Sequence, residues 1–383
     1  MASRRFVLAA AGGLSLALAG RRLVAAEAGN PVGPWEEAPR AASHPDWRVR
    51  AASWAVLAPN PHNRQPWIVE LEGADAAVLR VDLARLLPVT DPYDRQVTIG
   101  LGCFLELFRM AAAGEGIAVE VQRFPEGVPG GRLDARPVAR VVRVAGRAEA
   151  DPLFAHALAR RSAKRPYDMA RPVGAAAIAA LRAAAGTEVA CDGTEEPGRV
   201  AALRDLMMRS GLIEATDAET HGESVRLMRF GRAAVAANPD GIAMWGPGIE
   251  EAVASGQLSR RAVESPSAPA FGPYLERYRA MIETTPACVW MNTAGGTAAD
   301  ALAAGRAWLR VNLAATGLGL GVHPMSQALQ EFPAMRGPFE EAHRMLGATG
   351  GARVQMLARL GYVAGPAPAP TPRWPAATRI RAA

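Results

Sequence analysis

The hydrophobic pattern changes period repeatedly along the chain, and each change marks an element. Helical spacing over about 48–57 gives way to alternation over 67–72 and 77–83, with Gly73-Ala74-Asp75 between them as a hairpin signal. Residues 97–113 then carry apolar side chains at helical spacing. Gly100 and Gly102 would admit a close neighbour there, so a buried central helix is predicted. Strand-like runs over 117–124 and 139–144 complete a first half, 47–150. A short helix-like run from Asp151 opens a second half, 151–383. It continues with a helix near 175–184, a strand near 188–191 and a long helix over 199–216. Residues 230–272 are rich in Gly, Pro, Ser and Asn; a loop region so long predicts a partly helical flap, with Trp245 either a ligand contact or an anchor to the core. A buried strand (286–292), an amphipathic helix (299–317), a helix (337–346), a strand (353–361) and a Pro-rich arm (365–375) follow. At 383 residues two core units are expected.

Two polar stretches interrupt this pattern. The first, Ala58-Pro59-Asn60-Pro61-His62-Asn63-Arg64-Gln65-Pro66-Trp67, closes one helix and opens a strand. Its prolines fix their own φ and push the preceding residue out of α geometry, so the loop is rigid enough to hold Asn63 and Gln65 towards a ligand. On composition alone it reads equally as a helix-to-strand connector. The second, Arg160-Arg161-Ser162-Ala163-Lys164-Arg165-Pro166-Tyr167-Asp168, offers cations and a hydroxyl that match phosphate oxygens; as a charge run it also reads as a solvated basic loop. Gly317-x-Gly319-x-Gly321 ends a helix, where a dinucleotide fingerprint would have to open one, so it is a decoy.

Charge and composition narrow the function. The formal charge is +6, but Arg4, Arg5, Arg21 and Arg22 fall in a leader, and the mature chain carries about +2 if cleavage spares Glu27. With no basic stripe interleaved with aromatics, nucleic acid is not an expected partner. Ser3-Arg4-Arg5-Phe6-Val7-Leu8, an apolar run to Ala19 and an Ala-rich site near residues 25–28 predict a twin-arginine signal over 1–28, engagement of that export machinery and a periplasmic or otherwise exported product. The apolar run is shorter than the roughly 20 residues of a spanning helix, so no stable membrane insertion is expected after cleavage. Residues 29–46 read as a linker or a wrap around the surface. Cys103, Cys191 and Cys288 lack CxxC spacing, and the six histidines show no paired ligand spacing, so no metal is expected.

Three motifs in this order carry a resemblance. Pro59-x-x-x-Asn63-x-Gln65-Pro66-Trp67, Arg160-x-Ser162-x-Lys164, and Gly317 through His323-Pro324-Met325-Ser326 resemble the FMN-dependent nitroreductase superfamily, and more narrowly its Acg-like branch, over about residues 47–375. The resemblance implies an α+β, nitroreductase-like fold, with mixed or antiparallel sheets packed by helices, in which two halves of one chain form an intrachain pseudo-dimer, so the protein is expected as a monomer. It implies FMN as cofactor. Arg160, Arg161, Ser162 and Lys164 would take the phosphate; Pro59, Asn60, Asn63 and Gln65 would lie opposite; Pro324, Met325 and Ser326 would lie beneath the ring, with the Ser326 N–H donating to it. Arg373 in the arm would return to the phosphate. Asn60 and Pro61 stand where the family usually has Ser, and Thr371 where a Lys is common. Each motif occurs once, which implies one complete flavin site per chain. Flavin itself carries the hydride, so no catalytic side chain is assigned. The implied function is an exported FMN-dependent oxidoreductase acting on a nitro, quinone or similar small-molecule acceptor, with an unidentified electron donor. The alternative is a non-catalytic FMN-binding or storage protein with a lidded site. A third reading, a solute-binding protein on the same fold, would leave the protein colourless.

Overall fold

The computed structural model describes residues 29–382, so the predicted signal segment lies outside it. One sheet has five strands, in the order Ile380–Ala382, Trp67–Glu72, Ala76–Val81, Ala139–Arg147, Ile117–Arg123. Its neighbours are antiparallel except at one edge, where Ile380–Ala382 runs parallel to Trp67–Glu72 with Val69 opposite Ile380. A second, four-stranded sheet is antiparallel throughout, in the order Ala190–Thr194, Ala287–Thr293, Arg353–Gly361, Gly321–Pro324. The fold is therefore α+β, as the resemblance implies, with one mixed sheet, one antiparallel sheet and a short parallel pair, Met228–Phe230 with Ile242–Met244.

The four-stranded sheet is buried on both faces, and alternation distributes one strand between two cores. Ala287, Val289 and Met291 join the main core, whereas Cys288 and Trp290 join a second core with Leu203, Leu206 and Tyr278. That is why this strand reads in sequence as an unbroken apolar run. The main core is built around two helices, Arg95–Gly114 and Ala298–Gly317. Thr297 and Asp300 form a capping box that starts the second. The helices touch backbone to backbone at two glycines. A Cβ on Gly102 would lie 2.2 Å from the Leu302 carbonyl oxygen, and one on Gly305 would lie 2.1 Å from that of Ile99. The Cys103 thiol donates to the Gly305 carbonyl at 3.1 Å.

Several expectations are corrected. Residues 29–46 are no linker: they contain a helix, Pro34–Arg40, whose Trp35 and Ala38 are buried. The chain beyond the Pro-rich arm does not stay with the second half but adds Ile380–Ala382 to the first half's sheet, so the 150/151 boundary does not separate the two sheets. A strand of three residues carries no legible period; it forms because an edge of Trp67–Glu72 is available to pair. The strand expected at 188–191 lies at Ala190–Thr194, and helices Ala218–Leu227 and Phe271–Glu283 were not anticipated. The 230–272 segment is partly helical, with Gly231–Ala237, Ile249–Ala254 and Arg260–Val263. Within it Trp245 is half-buried, and the Arg232 guanidinium sits 5.6 Å from its ring.

Candidate functional site

The Pro-Asn loop joins helix Trp47–Ala55 to strand Trp67–Glu72 in a conformation its composition only hints at. His62, Asn63 and Gln65 have φ of 45°, 51° and 50°. Non-glycine residues held there cost about 1–3 kcal/mol each and persist only where the surroundings over-determine them. The surroundings do. A Cβ on Gly100 of the first central helix would meet Asn60 Cβ at 3.0 Å and Pro61 Cδ at 3.2 Å, so this glycine lets the loop lie on the helix. Asn60 Oδ1 accepts the Gln65 N–H at 2.7 Å. Gln65 is fully buried: its Nε2 donates to the Pro239 carbonyl and its Oε1 accepts the Trp374 N–H, both at 2.8 Å. Asn63 Nδ2 donates to the Pro372 carbonyl at 2.9 Å, and Asn63 Oδ1 accepts from Arg373 Nη1. The two amides expected to face a ligand are thus engaged with the C-terminal arm and the 230–272 segment, and they hold the loop's shape.

The basic loop lies against the four-stranded sheet. Ser162 forms a bridge with Val322, and the Ala163 N–H donates to the Val322 carbonyl at 2.9 Å. A Cβ on Gly321 would come within 2.7 Å of Ala163 Cβ, which explains the glycine. Fully buried Arg359 fixes the far end, donating from Nη2 to the Arg165 carbonyl at 2.6 Å and lying 4.3 Å from the Tyr167 ring. Beside the loop, Pro324 ends its strand and the Met325 N–H donates to the Leu357 carbonyl at 2.9 Å, while the Met325 side chain fills the second core. Ser326 Oγ contacts both the Leu357 N–H and carbonyl, at 3.2 and 3.1 Å. The Ser326 N–H has no partner among the described residues.

The two loops, about a hundred residues apart in sequence, meet through guanidinium groups. Arg160, 3% exposed, donates from Nη2 to the Leu57 carbonyl at 3.1 Å. Arg373, also 3% exposed, donates from Nη2 to the Ala58 carbonyl at 3.2 Å. Arg160, Arg161 and Arg373 surround the Trp35 ring, and none has a carboxylate within ion-pair distance among the described residues. Burial, then the like charge of Arg161, lowers the Arg160 pKa to about 10. Burial, then Arg160 and Arg161, pushes Arg373 well below its ordinary value. The Nε atoms of Arg161 and Arg373 are buried without partners. Buried cations of one sign with orphaned donors suit an anion.

Lys164, in the basic loop, is exposed, and the protein around it lowers its pKa. His62 and His323 have Lys164 among their charged neighbours; burial lowers both pKa values, so both rings are neutral at pH 7, and each has a buried, unpartnered Nδ1. Sequence reasoning missed these histidines, having weighed them only as metal ligands, although each sits inside a motif. It also missed Trp35 and Arg359, which no motif marks. The 230–272 segment closes on the same loop: Asp240 accepts from Arg85 at 2.7 Å and Arg229 at 2.8 Å, and the Gly241 N–H donates to the Asn63 carbonyl at 3.2 Å. Two shallow depressions elsewhere, beside Arg147 and beside Trp290, contain none of the motif residues.

No protein-family model matches the chain. Among characterised sequences it is similar to the Mycobacterium tuberculosis protein named "Putative NAD(P)H nitroreductase acg", at 39% identity over 75 residues. That match covers 20% of this chain and 22% of the relative, in each of two strains. Among solved structures, a nitroreductase-like protein from Bacillus cereus aligns with 61% of this chain and 97% of its own, at 14% identity and TM-score 0.34. A Bacteroides fragilis nitroreductase with bound FMN aligns with 56% and 90%, at 15% and 0.31. The FMN-dependent NfnB of Mycobacterium smegmatis, in complex with NADPH, aligns with 54% and 84%, at 14% and 0.34. The sequence similarity to the Acg protein thus spans about a fifth of that relative's length, 22%.

Proposed function

We propose that this protein is an exported FMN-dependent oxidoreductase of nitroreductase type, with a single flavin site assembled between two halves of one chain. The observation that carries the reading is the convergence of Arg160 and Arg373 on the carbonyls of Leu57 and Ala58, which brings the basic loop and the Pro-Asn loop to one place. The residues fit the cofactor. Arg160, Arg161, Arg373 and Ser162 would hold its phosphate, since their positive charge has no internal counter-ion. Lys164, two residues beyond Ser162, would neutralise the remaining phosphate charge. The ring system would lie against Pro324 and Met325, with the unpartnered Ser326 N–H available to its polar edge.

When bound, FMN supplies reversible hydride chemistry, and the protein's part is to place it and keep competing reactions out. Neutral His62 and His323 add no charge of their own beside the ring, which suits an uncharged planar acceptor such as a nitroarene or quinone. His62, held at positive φ, would present its free nitrogen to that acceptor. The two central helices, crossing at Gly102 and Gly305, act as the axis of a pseudo-dimer, and the exchanged strand Ile380–Ala382 ties one half to the other.

A second reading keeps one observation in its favour. Pro239 and Gly241 fasten the 230–272 segment to the Pro-Asn loop, as a lid sealing stored FMN would require. Protein isolated from its own host decides between them. A flavin absorption spectrum that bleaches anaerobically with NADPH or a reduced quinol supports the oxidoreductase. A flavin spectrum that no donor bleaches supports storage, and colourless protein that takes up no added FMN refutes both.

A further inference from the structure

The phosphate cluster has a member that none of the motifs includes. Trp35, 6% exposed, stands among three guanidiniums: Arg161 Cζ is 4.3 Å from its ring centroid, Arg373 5.7 Å and Arg160 6.0 Å. Its Nε1 donates to the Thr371 carbonyl at 2.8 Å, and the Arg373 N–H returns to the Pro31 carbonyl at 2.8 Å, so the segment carrying Trp35 and the C-terminal arm are hydrogen-bonded to each other. Arg160 and Arg373 are also anchored to the Leu57 and Ala58 carbonyls. Arg161 is not: its Nη1 reaches only carbonyls of its own turn, Leu158 at 2.6 Å and Arg160 at 2.8 Å, and its Nε is unpartnered.

We propose that Trp35 is a positioning residue that gathers these three guanidiniums into one receptor for a phosphate monoester. Like charges drawn from two distant segments repel, and among the described residues no carboxylate lies between them. The indole face is the negative surface that all three share, because its quadrupole attracts cations placed over it. By holding Arg161 against the ring it turns a loose side chain into a preset donor, so less ordering remains to be done on binding. Trp35 thereby acts on the phosphate end of the ligand alone. This inference rests on the flavin reading for the identity of the monoester, but not for the anion site itself.

The test uses the full chain freed of ligand, with Trp35→Leu, Trp35→Met and Trp35→Phe. Met fills similar space without a π face, and stands in should Leu fail to fold. Two readouts are taken: the melting-temperature shift given by inorganic phosphate over chloride at equal ionic strength, and affinities for FMN and riboflavin by fluorescence titration. Wild type and Trp35→Phe should gain melting temperature from phosphate, while Trp35→Leu and Trp35→Met lose that gain. The FMN-to-riboflavin affinity ratio should fall about 10-fold or more in the latter two. Absence of phosphate stabilisation in wild type, an unchanged ratio, or equal weakening of FMN and riboflavin would each overturn the proposal. If wild type is stabilised by phosphate through Trp35 but binds neither flavin, the flavin reading falls and this one stands. If it binds FMN and the Met variant binds as well, the reverse holds.

Discussion

Substituting Gly305 with Ala tests the crossing of the two central helices. In an ordinary helix interior this change stabilises by about 0.4–1 kcal/mol, because Ala restricts the unfolded chain and favours the helix. Here the new methyl would stand 2.1 Å from the Ile99 carbonyl oxygen and 2.8 Å from Gly102 Cα. A carbon–oxygen contact needs about 3.3 Å or more, so the helices must part by roughly 1 Å. Both helices are packed into the main core on their other faces, and backbone cannot give way as a side-chain tip can. Overpacking of this kind costs about 1–3 kcal/mol, which outweighs the propensity gain and inverts the sign. Gly114, at the end of the first helix, is the control, since its Cβ would meet only the Phe154 ring at 3.5 Å, an ordinary contact. Urea unfolding at constant m reads both. Gly305→Ala should lower the midpoint while Gly114→Ala holds or raises it. A Gly305→Ala protein as stable as wild type would refute the close crossing. Because Gly100, on the partner helix Arg95–Gly114, seats Asn60 and Pro61, parting the helices should also weaken FMN binding.

Other outcomes follow from the site. Arg160→Met removes one charge-assisted donor and should lower FMN affinity about 10–100-fold while sparing riboflavin, as read by fluorescence titration. Asp240→Ala leaves Arg85 and Arg229 without their shared carboxylate, so limited proteolysis within 231–270 should accelerate. Burial would raise the Asp240 pKa, but Arg85 and Arg229 hold it below its ordinary 3.8. The latch's contribution is therefore present above that value and lost as pH falls through the lower folded pKa, which proteolysis at acid pH would report. Burial lowers His62 and His323 below their ordinary 6.5, so folding favours their neutral forms. Their contribution is full above pH 6.5 and declines as pH falls below it. Unfolding free energy should drop over that window, less steeply in His323→Phe.

Much of the fold was legible because its long elements bury one pattern deeply enough to write it in the sequence. The central helices and the 286–292 and 353–361 strands are examples. The basic loop and the Pro-Asn loop were legible as chemistry, since cations, a hydroxyl and prolines announce themselves locally. Their use was only partly legible. Asn63 and Gln65 look like ligand-facing amides until the arm and Pro239 are seen to occupy them. Trp35 looks like a linker aromatic until three guanidiniums are seen around it.

By itself, the sequence determined which stretches are helix or strand, which carry charge, and that Gly102 must admit something close, because each depends on residues near in the chain. Tertiary structure alone decided that Gly102 meets Gly305, that Ile380–Ala382 completes a distant sheet, and that Arg160, Arg161 and Arg373 share one buried space. The physical reason is that these arrangements are set by long-range packing and by charges whose partners lie hundreds of residues away. No local period or propensity records them.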